Sequence, residues 1–281
     1  MEIPTTQEYL QEIDKQPKSV YVLHEKSERR FPVHKHAKGQ LTYVEGGIAY
    51  VHIKDSTYVI PARHYIWIPK DLEHFLQVRY SMTAIRTLYF YTHDDKQHAF
   101  YSRMGIYPVT NLLQEMLLYT ERWNGHILPK SKDYAFVSAI KNILPQLSTR
   151  ALPIVLPTTT NERIQPIIQY LNMHADEPLT LSSVSRQFGF SERTLSRLFK
   201  ATMNISFLQY LKQLRVVKAV RMMLQKDVTL SEIAYKTGYN SLSAFSNAFF
   251  QITNKRPSEF AGALNSSSLQ ENSYNGQTDT P

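Results

Sequence analysis

Residues Val184–Lys200 read VSRQFGFSERTLSRLFK, and residues Ile233–Phe250 read IAYKTGYNSLSAFSNAFF. Both stretches have the pattern of a short helix, a glycine, an aromatic residue and a serine that begins a second helix. Gly189 and Gly238 suit the tight turn, because a positive φ after a helix C-terminus is favourable mainly for glycine. The serine that follows is a natural N-cap. The repeat predicts two helix-turn-helix units, whose second helices enter the DNA major groove.

Between the two stretches, Ser206–Leu224 reads SFLQYLKQLRVVKAVRMML and contains neither glycine nor proline. Apolar residues recur there at steps of three and four, which predicts one amphipathic helix. Its 19 residues would span roughly 28 Å at ~1.5 Å per residue. Successive major-groove faces of B-DNA lie ~34 Å apart. Such a helix can hold two recognition helices against one face of the DNA.

The segment from about Glu162 to Phe260 resembles the AraC family of bacterial transcription regulators, which carry two helix-turn-helix units joined by a long helix. The closing stretch carries the most specific part of this resemblance: Ala234-x3-Gly238-Tyr239-x-Ser241-x3-Phe245-x3-Phe249, then Pro257-x2-Phe260. This sequence departs from the family pattern at three places, which leave the fold prediction intact. Asn254 replaces the usual glycine, Phe250 and Gln251 replace a basic pair, and Ala261 replaces a frequent arginine.

Composition limits the classes of protein to which the chain can belong. A length of 281 residues favours two domains, and 42% apolar residues suffice for a buried core. The absence of cysteine excludes disulfides, zinc–cysteine sites and thiol catalysis. We find no signal-peptide pattern in Met1–Gln16 and no apolar run of ~18 residues. These features together predict a cytoplasmic protein that does not span a membrane.

The net charge of +8 is concentrated in the segment with the repeats. Residues 161–262 contain 13 Lys or Arg against 7 Asp or Glu. A basic face is what a polyanionic partner requires. Charge by itself is common among globular proteins, so it supports the motif without replacing it.

The N-terminal half is rich in β-branched and aromatic residues from Val20 to about Tyr91, and turn residues separate the runs. This pattern predicts many short strands in a β-barrel or a double-sheet jelly roll. The expected strands lie around Val22 and at Gln40–Val44, Ile48–Ile53, Thr57–Ile60, Tyr65–Ile68, Phe75–Val78 and Ala84–Tyr91.

The spacing His34-x-His36-x3-Gln40-x6-Gly47 resembles the first cupin motif, with glutamine in the usual glutamate position. Pro69 followed by His74 resembles the second motif. Alternating residues of a strand face one side, so His34 and His36 are expected to point together.

Two interpretations of this cluster remain open. Three imidazoles and an amide oxygen would suit a transition metal such as Fe, Ni or Zn. Alternatively, the side chains line a polar site for a small effector or are satisfied structurally. We predict an effector site without a resident metal or other cofactor, because a neutral amide is a poor ligand where a carboxylate is usual. The predicted effector-binding residues are His34, His36, Gln40, Tyr43, Trp67 and His74, and Arg86 is a further lumen candidate.

Two helices are predicted in the middle of the chain, at Thr110–Trp123 and Asp133–Leu147. They pack either against the flank of the barrel or against a second subunit, and the family resemblance implies a dimer contact. The apparent excess of exposed leucines at Leu112, Leu113, Leu117 and Leu118 favours the dimer.

The linker Ser148–Asn161 contains Pro153 and Pro157, which prevent helix continuation and favour extended backbone. Helix is expected to resume at Asn161. The predicted organisation is a cupin-like effector-sensing domain (1–92), a helical pair (93–147), a linker (148–160), a double helix-turn-helix domain (161–263) and a disordered tail (264–281). The fold class is therefore α+β multidomain.

On each recognition helix, the apolar residues fix which face is exposed. We expect Arg193, Ser196 and Arg197 to read bases, because arginine bound to guanine through two hydrogen bonds is the commonest specific contact. Lys200 and Ser191 are expected to hold phosphate. The complete set of predicted DNA-binding residues is Ser191, Arg193, Thr194, Ser196, Arg197, Lys200, Ser241, Ser243, Ser246, Asn247, Gln251, Lys255 and Arg256. The connecting helix adds Lys212, Arg215, Lys218 and Arg221, some of which should face phosphate.

The chain is predicted to be a sequence-specific transcription regulator that responds to a small-molecule effector and is not an enzyme. The predicted partners are promoter DNA, the effector, RNA polymerase and a second copy of the chain. Activation is more usual than repression in the family. The main alternative is a metal-dependent cupin enzyme with a DNA-targeting domain, and another is a DNA-architectural protein without an effector.

Overall fold

The structure is a computed structural model that describes residues 6–25, 32–78, 83–225 and 228–265. It divides into two compact units, Met1–Ile53 with Ile60–Leu152, and Lys54–Val59 with Pro153–Pro281. The first unit is rich in β-strand and the second is mainly helical. The predicted α+β fold class is confirmed. Most of the predicted tail lies outside the described residues.

The seven strands expected from the sequence are present with nearly the predicted limits. Three more strands and an N-terminal helix were not predicted. The elements of the first half are α1 (Thr6–Asp14), β1 (Val20–Glu25), β2 (Gly39–Val44), β3 (Ile48–Ile53), β4 (Ser56–Pro61), β5 (His64–Ile68), β6 (Phe75–Val78), β7 (Ile85–Phe90), β8 (Gly105–Pro108), α2 (Asn111–Tyr119), β9 (Gly125–Ile127) and α3 (Tyr134–Leu147). Short 3-10 turns occupy Asp95–Gln97, Ala99–Ser102 and Thr120–Arg122.

The larger sheet has the strand order β8-β5-β2-β7-β1-β9, and its neighbouring strands are antiparallel. Register places Gln40 of β2 beside Ile68 of β5 and Tyr89 of β7. Strand β3 pairs antiparallel with β6. Because β2, β5 and β7 are buried along their whole length, both faces of the central sheet are covered.

The helical pair packs on one face of this sheet. Leu113 and Leu117 of α2 and Ile140 of α3 are fully buried in a cluster with Tyr43 and Trp67. The expectation that Leu113 and Leu117 are exposed was therefore wrong, because these leucines fill the space against the sheet. Leu112 does remain 62% exposed.

The elements of the second half are β10 (Val155–Pro157), α4 (Gln165–Met173), α5 (Leu181–Gln187), α6 (Glu192–Met203), α7 (Phe207–Met222), α8 (Leu230–Lys236), α9 (Leu242–Thr253) and α10 (Pro257–Asn265). Strand β10 pairs antiparallel with the first half of β4, so part of the predicted linker is regular structure. Helix α4 begins four residues later than predicted, because Asn161–Ile164 forms a turn in which Asn161 Oδ1 accepts from the Arg163 amide.

Helices α4 to α7 enclose one core, in which Leu195, Phe199 and Leu214 are buried. Helix α7 has 16 residues, which corresponds to about 24 Å and is shorter than the sequence predicted. Its last turn gives way to a non-helical turn after Met222. Among the described residues, no helix is both long and apolar enough to cross a membrane.

Candidate DNA interface and histidine site

The first helix-turn-helix unit consists of α5, a turn and α6. The Thr180 and Ser183 side chains form a reciprocal capping box that starts α5. Gly189 in the turn has φ +71°. Ser191 caps α6 by accepting from the Thr194 amide at 3.2 Å. The predicted roles of the glycine and the serine in local structure agree with this geometry.

Helix α6 is amphipathic and presents one polar face. Leu195, Phe199 and Met203 are buried against the unit's core. All the predicted DNA-contacting residues of this helix are exposed: Ser191, Arg193, Thr194, Ser196, Arg197 and Lys200. Three of them already have partners: Ser191 serves as the N-cap, Thr194 Oγ1 lies 2.8 Å from Ser191 Oγ, and Lys200 Nζ donates to the Asn204 carbonyl at 3.0 Å. Arg193, Ser196 and Arg197 are exposed on this face.

The second unit repeats the first in detail. Thr229 and Glu232 form the capping box of α8, and Gly238 has φ +80°. Ser241 caps α9 by accepting from the Ala244 amide at 3.1 Å. Asn254, which replaces the usual glycine, adopts the left-handed conformation at φ +57°. Asn204 has the same role after α6, with φ +56°.

The exposed face of α9 carries neutral side chains. Ser241, Ser243, Asn247 and Gln251 are exposed, and Ser246 is half-buried.

Positive charge beside α9 comes from Lys212 of α7, whose Nζ donates to Gln251 Oε1 at 3.5 Å, and from Arg256. The Nη1 of Arg256 lies 3.4 Å from Ser246 Oγ and 3.3 Å from Asn247 Oδ1. Its guanidinium also lies over the Phe250 ring. Lys255 is half-buried next to it. Lys212 and Arg256 therefore supply this face with the charge that the helix itself lacks.

Arg215 of α7 does not face outward as the sequence suggested it could. Its Nε donates to the Ala175 carbonyl at 2.9 Å, and its Nη2 donates to the Glu177 carbonyl at 2.7 Å. Burial lowers the pKa of the guanidinium. Arg215 is therefore committed to packing within the helical unit, which sequence periodicity gave no means of predicting.

The structure brings His34, His36, His74 and Gln40 together in the β-rich unit. The centres of the His34 and His74 rings are 4.5 Å apart, and those of His36 and His74 are 5.3 Å apart. Gln40 Oε1 lies 2.8 Å from His36 Nε2 and 3.0 Å from His74 Nε2. The predicted convergence of the four side chains is thus present.

The local backbone differs from the expected strand at His34 and His36. His34 forms an isolated antiparallel bridge with His74, in which each amide donates to the other's carbonyl at 2.9 Å. His36 lies beyond this bridge, and its carbonyl accepts from the Asp71 amide at 2.9 Å. Residues from two sequence-distant loops are therefore held by backbone hydrogen bonds.

All three imidazoles are oriented in the same way. Each Nδ1 lies 2.6–2.8 Å from a backbone carbonyl, those of Pro32, Lys38 and Leu72. Since a carbonyl oxygen only accepts, Nδ1 must donate, and the neutral ring keeps its lone pair on Nε2.

Burial disfavours the charged form of these rings. His36 is 3% and His74 is 1% exposed, whereas His34 is half-buried. Desolvation lowers the pKa of all three rings, and together with the neighbouring histidines it lowers the pKa of His74 to about 3. One ligand atom from each ring can be chosen so that all three lie within 4.8 Å of one another.

Tyr43 and Trp67, which were also predicted to bind the effector, do not belong to this cluster. Tyr43 of β2 and Trp67 of β5 lie on the sheet face opposite to Gln40, because Leu41 and Tyr43 pack with Trp67 under the helical pair. Trp67 Nε1 donates to the Tyr101 carbonyl at 3.1 Å. Burial raises the pKa of Tyr43 to about 12. Gln40 and Thr42 alternate with Leu41 and Tyr43 along β2, which already indicates that Tyr43 lies on the face opposite to Gln40.

The chain matches two family models. A model described as an AraC-like ligand binding domain matches residues 17–118, and one described as a helix-turn-helix domain matches residues 184–263. Among curated proteins, the HTH-type transcriptional regulator NimR of Escherichia coli is 25% identical over 242 residues, which are 85% of each chain.

Two other similar proteins differ in how much of this chain they cover. A helix-turn-helix regulator of Staphylococcus aureus is 27% identical over 42% of this chain, which corresponds to 16% of its own length. The crystal structure of ToxT from Vibrio cholerae covers 88% of this chain and 98% of its own, with 13% identity and a TM-score of 0.37.

Proposed function

We infer the function from the premise that this chain belongs to the AraC family of DNA-binding transcription regulators, with an AraC-like ligand-binding domain and a helix-turn-helix domain. The observation that supports a DNA-reading role is the repeated unit: two capped helices, α6 and α9, each following a glycine with positive φ. We propose that residues 161–263 recognise a specific promoter sequence and that residues 1–92 control this recognition in response to an effector.

We propose that α6 carries most of the sequence specificity. Arg193, Ser196 and Arg197 are exposed on one face and are well placed to reach base edges. Helix α9 offers hydroxyl and amide groups, among which Asn247 would pair with adenine. Ser191 and Lys200, with Lys255 and Arg256 beside α9, would contact the DNA backbone.

The test is binding of the purified chain to DNA from upstream of its own and adjacent genes, measured by fluorescence anisotropy over a salt series. Arg197→Ala should weaken specific binding by ~10–100-fold, corresponding to ~1–3 kcal/mol for a good contact with guanine, and should relax the preference at the base pair that it reads. The matched control is Arg186→Ala, which removes an equally exposed charge from α5 of the same unit. Retained affinity and preference in Arg197→Ala would refute the role given to α6.

We further propose that the chain acts as a homodimer through the outer face of α2. Leu112 and Tyr119 lie on this face, 62% and 45% exposed, although the inner face of the same helix is fully buried. Leu112→Glu would place a charge in the contact. Sedimentation should show a dimer for the wild type and a shift toward monomer for Leu112→Glu. The same molar mass for both proteins would contradict the proposal.

The proposed output is transcription activation through contact with RNA polymerase in the cytoplasm, where promoter DNA is found in bacteria. The regulators among the relatives support a role without catalysis. A reporter gene fused to the bound promoter distinguishes activation from repression, because expression falls in a deletion strain only if the chain activates.

A further inference from the structure

We propose that Leu242, the first residue of α9, recognises thymine in the DNA major groove by packing against the 5-methyl group of the base. This role rests on the proposed function, because it names a base that the second helix-turn-helix unit would recognise. Leu242 is then a specificity-determining residue, and the half-site of the second unit contains thymine. Three observations support this role.

The first observation is the place of Leu242 in the repeat. Both recognition helices follow a capping serine, Ser191 or Ser241, have 12 residues and end before an asparagine in the left-handed conformation. The two helices therefore correspond residue for residue, and Leu242 takes the place of Glu192, the first residue of α6. Early residues of a recognition helix contact base edges in the major groove. Leu242 is therefore well placed to meet a base.

Three exposed positions are polar in α6 and apolar in α9. They pair Glu192 with Leu242, Thr194 with Ala244, and Lys200 with Phe250. Phe250 has a partner within its own unit, because the Arg256 guanidinium lies 4.9 Å from the centre of its ring. Leu242, at the other end of α9, is 43% exposed. In the major groove the thymine methyl is the group that an apolar side chain contacts to discriminate among bases.

The second observation is the neutral character of α9. An acidic residue in the first turn is favoured by the helix dipole, and α6 has Glu192 there, whereas the first turn of α9 has none. No charged residue occurs in Leu242–Thr253. This helix therefore lacks the arginine or lysine that suits guanine and the carboxylate that suits cytosine. Its discrimination has to come from Asn247, which suits adenine, and from apolar contact, which suits thymine.

The third observation is the small size of the side chains beside Leu242. Ser243 and Ala244 follow it and are both exposed. The preceding Ser241 accepts from the Ala244 amide at 3.1 Å, so its hydroxyl serves the helix cap. Small side chains allow the start of α9 to approach the base edges closely. Adenine N6 and N7 and the thymine methyl line the same groove, so Asn247 and Leu242 can contact neighbouring A·T pairs.

The test removes the methyl group and retains base pairing, because each thymine of the bound promoter site is replaced in turn with deoxyuridine. Binding of the full chain to the natural and substituted DNA is measured by fluorescence anisotropy. At the thymine that faces Leu242, the substitution should weaken binding roughly four-fold, the factor that follows from burying one methyl-sized group.

Leu242→Ala identifies that thymine. The variant should bind the natural site at least about four-fold more weakly than the wild type, and deoxyuridine at that position should weaken its binding no further. Because Leu242 is exposed and alanine favours helix, the melting temperature should change little. The matched control is Leu208→Ala, which removes a 59% exposed leucine from the first turn of α7. This control should respond to each deoxyuridine as the wild type does.

Three results would overturn the role of Leu242. Equal binding of the natural DNA and of every substituted DNA would show that no thymine methyl is recognised. A loss that persists in Leu242→Ala at every sensitive thymine would show that the methyl acts through DNA shape or through another residue. Binding of the natural site by Leu242→Ala with wild-type affinity would mean that a protein partner, and not DNA, covers this side chain.

Scrambled DNA of the same composition separates failure of this role from failure of the proposed function. A preference for the promoter site, without a deoxyuridine effect that depends on Leu242, would overturn only thymine recognition. Equal affinity for promoter and scrambled DNA would refute sequence-specific recognition, and the role of Leu242 with it.

Discussion

Arg215 fills the space that a side chain at Gly238 would occupy. Its guanidinium lies directly beneath the turn of the second helix-turn-helix unit and donates to the Ala175 carbonyl. A Cβ added to Gly238 would lie 2.5 Å from that carbonyl and would also collide with the Arg215 side chain. Gly189, at the same place in the first unit, has no atom of the described residues within 4 Å of its Cβ position, its chain neighbours aside. The two glycines share a conformation but not an environment.

Gly238→Ala should therefore destabilise the chain more than Gly189→Ala. In Gly189→Ala, the left-handed backbone alone should cost about 1–2 kcal/mol. In Gly238→Ala, overpacking should add about 1–3 kcal/mol to that strain. Urea denaturation followed by circular dichroism measures both losses, with the unstrained Gly262→Ala as a control. Equal losses for the two turn variants would show that the contact with Arg215 is unimportant.

The comparison of these glycines shows how far the sequence could predict the fold. The repeated glycine and serine determine local backbone, so both turns and all four helices of the repeat could be predicted. The partner of Gly238 could not, because Arg215 and Ala175 reach it only through tertiary packing. Strands β8 to β10, with three or four residues each, are too short to show a period.

In the candidate sites, too, some features could be predicted from the sequence and others could not. The spacing of His34, His36, Gln40 and His74 predicted their convergence. The alternation of Gln40 and Thr42 with Leu41 and Tyr43 along β2 separates Tyr43 from Gln40. The face that the helical pair covers could not be predicted, because β2 and β5 are buried on both faces. The packing of α2 and α3 on one face of the sheet determines which residues of β2 and β5 lie under the helices.

Lys200→Ala should weaken DNA binding without changing sequence preference. Lys200 is exposed near the end of α6, where it would contact phosphate and not a base. Removing one phosphate contact should reduce the slope of log affinity against log salt by about 0.9. Anisotropy over a salt series on specific and scrambled DNA measures this slope. A loss of affinity for the specific DNA alone, with unchanged affinity for the scrambled DNA, would instead assign Lys200 to base recognition.

Arg256→Ala should weaken the contribution of α9 to DNA binding while leaving the fold nearly unchanged. Arg256 is exposed, so its bonds to Ser246 and Asn247 should add less than about 1 kcal/mol to stability. Its loss removes both the charge and the group that orients Asn247. Arg256→Lys retains the charge alone. Arg256→Lys should therefore keep the salt dependence of DNA binding but lose discrimination at the base pair read by Asn247. Identical binding by Arg256→Ala and Arg256→Lys would contradict these separate roles of charge and orientation.

Lys141 connects α3 to the loop after β7 through a fully buried ammonium group. Its Nζ donates to the Tyr91 carbonyl at 2.6 Å, to Asp95 at 2.7 Å and also to Asp94. The same group lies over the rings of Tyr91 and Tyr101. Removing one partner of a buried ion pair usually costs 3–5 kcal/mol, because an uncompensated charge remains.

Lys141→Met should therefore lower the free energy of unfolding by about 3–5 kcal/mol near neutral pH. The loss should shrink on acidification. Burial is the largest cause of the raised pKa of Asp95, and the ammonium group of Lys141 acts in the opposite direction by lowering that pKa. Lys141→Met removes this lowering effect, so the pKa of Asp95 should rise further. A group whose folded pKa exceeds its unfolded pKa stabilises the fold below the unfolded value and loses this contribution as pH rises through the folded value. Urea denaturation of the wild type and of Lys141→Met between neutral pH and about pH 4 should show that the difference in their free energies of unfolding narrows as the pH falls. Adding Asp95→Asn to Lys141→Met should restore part of the lost stability at neutral pH. A gap that is constant with pH would mean that Asp95 does not carry the uncompensated charge.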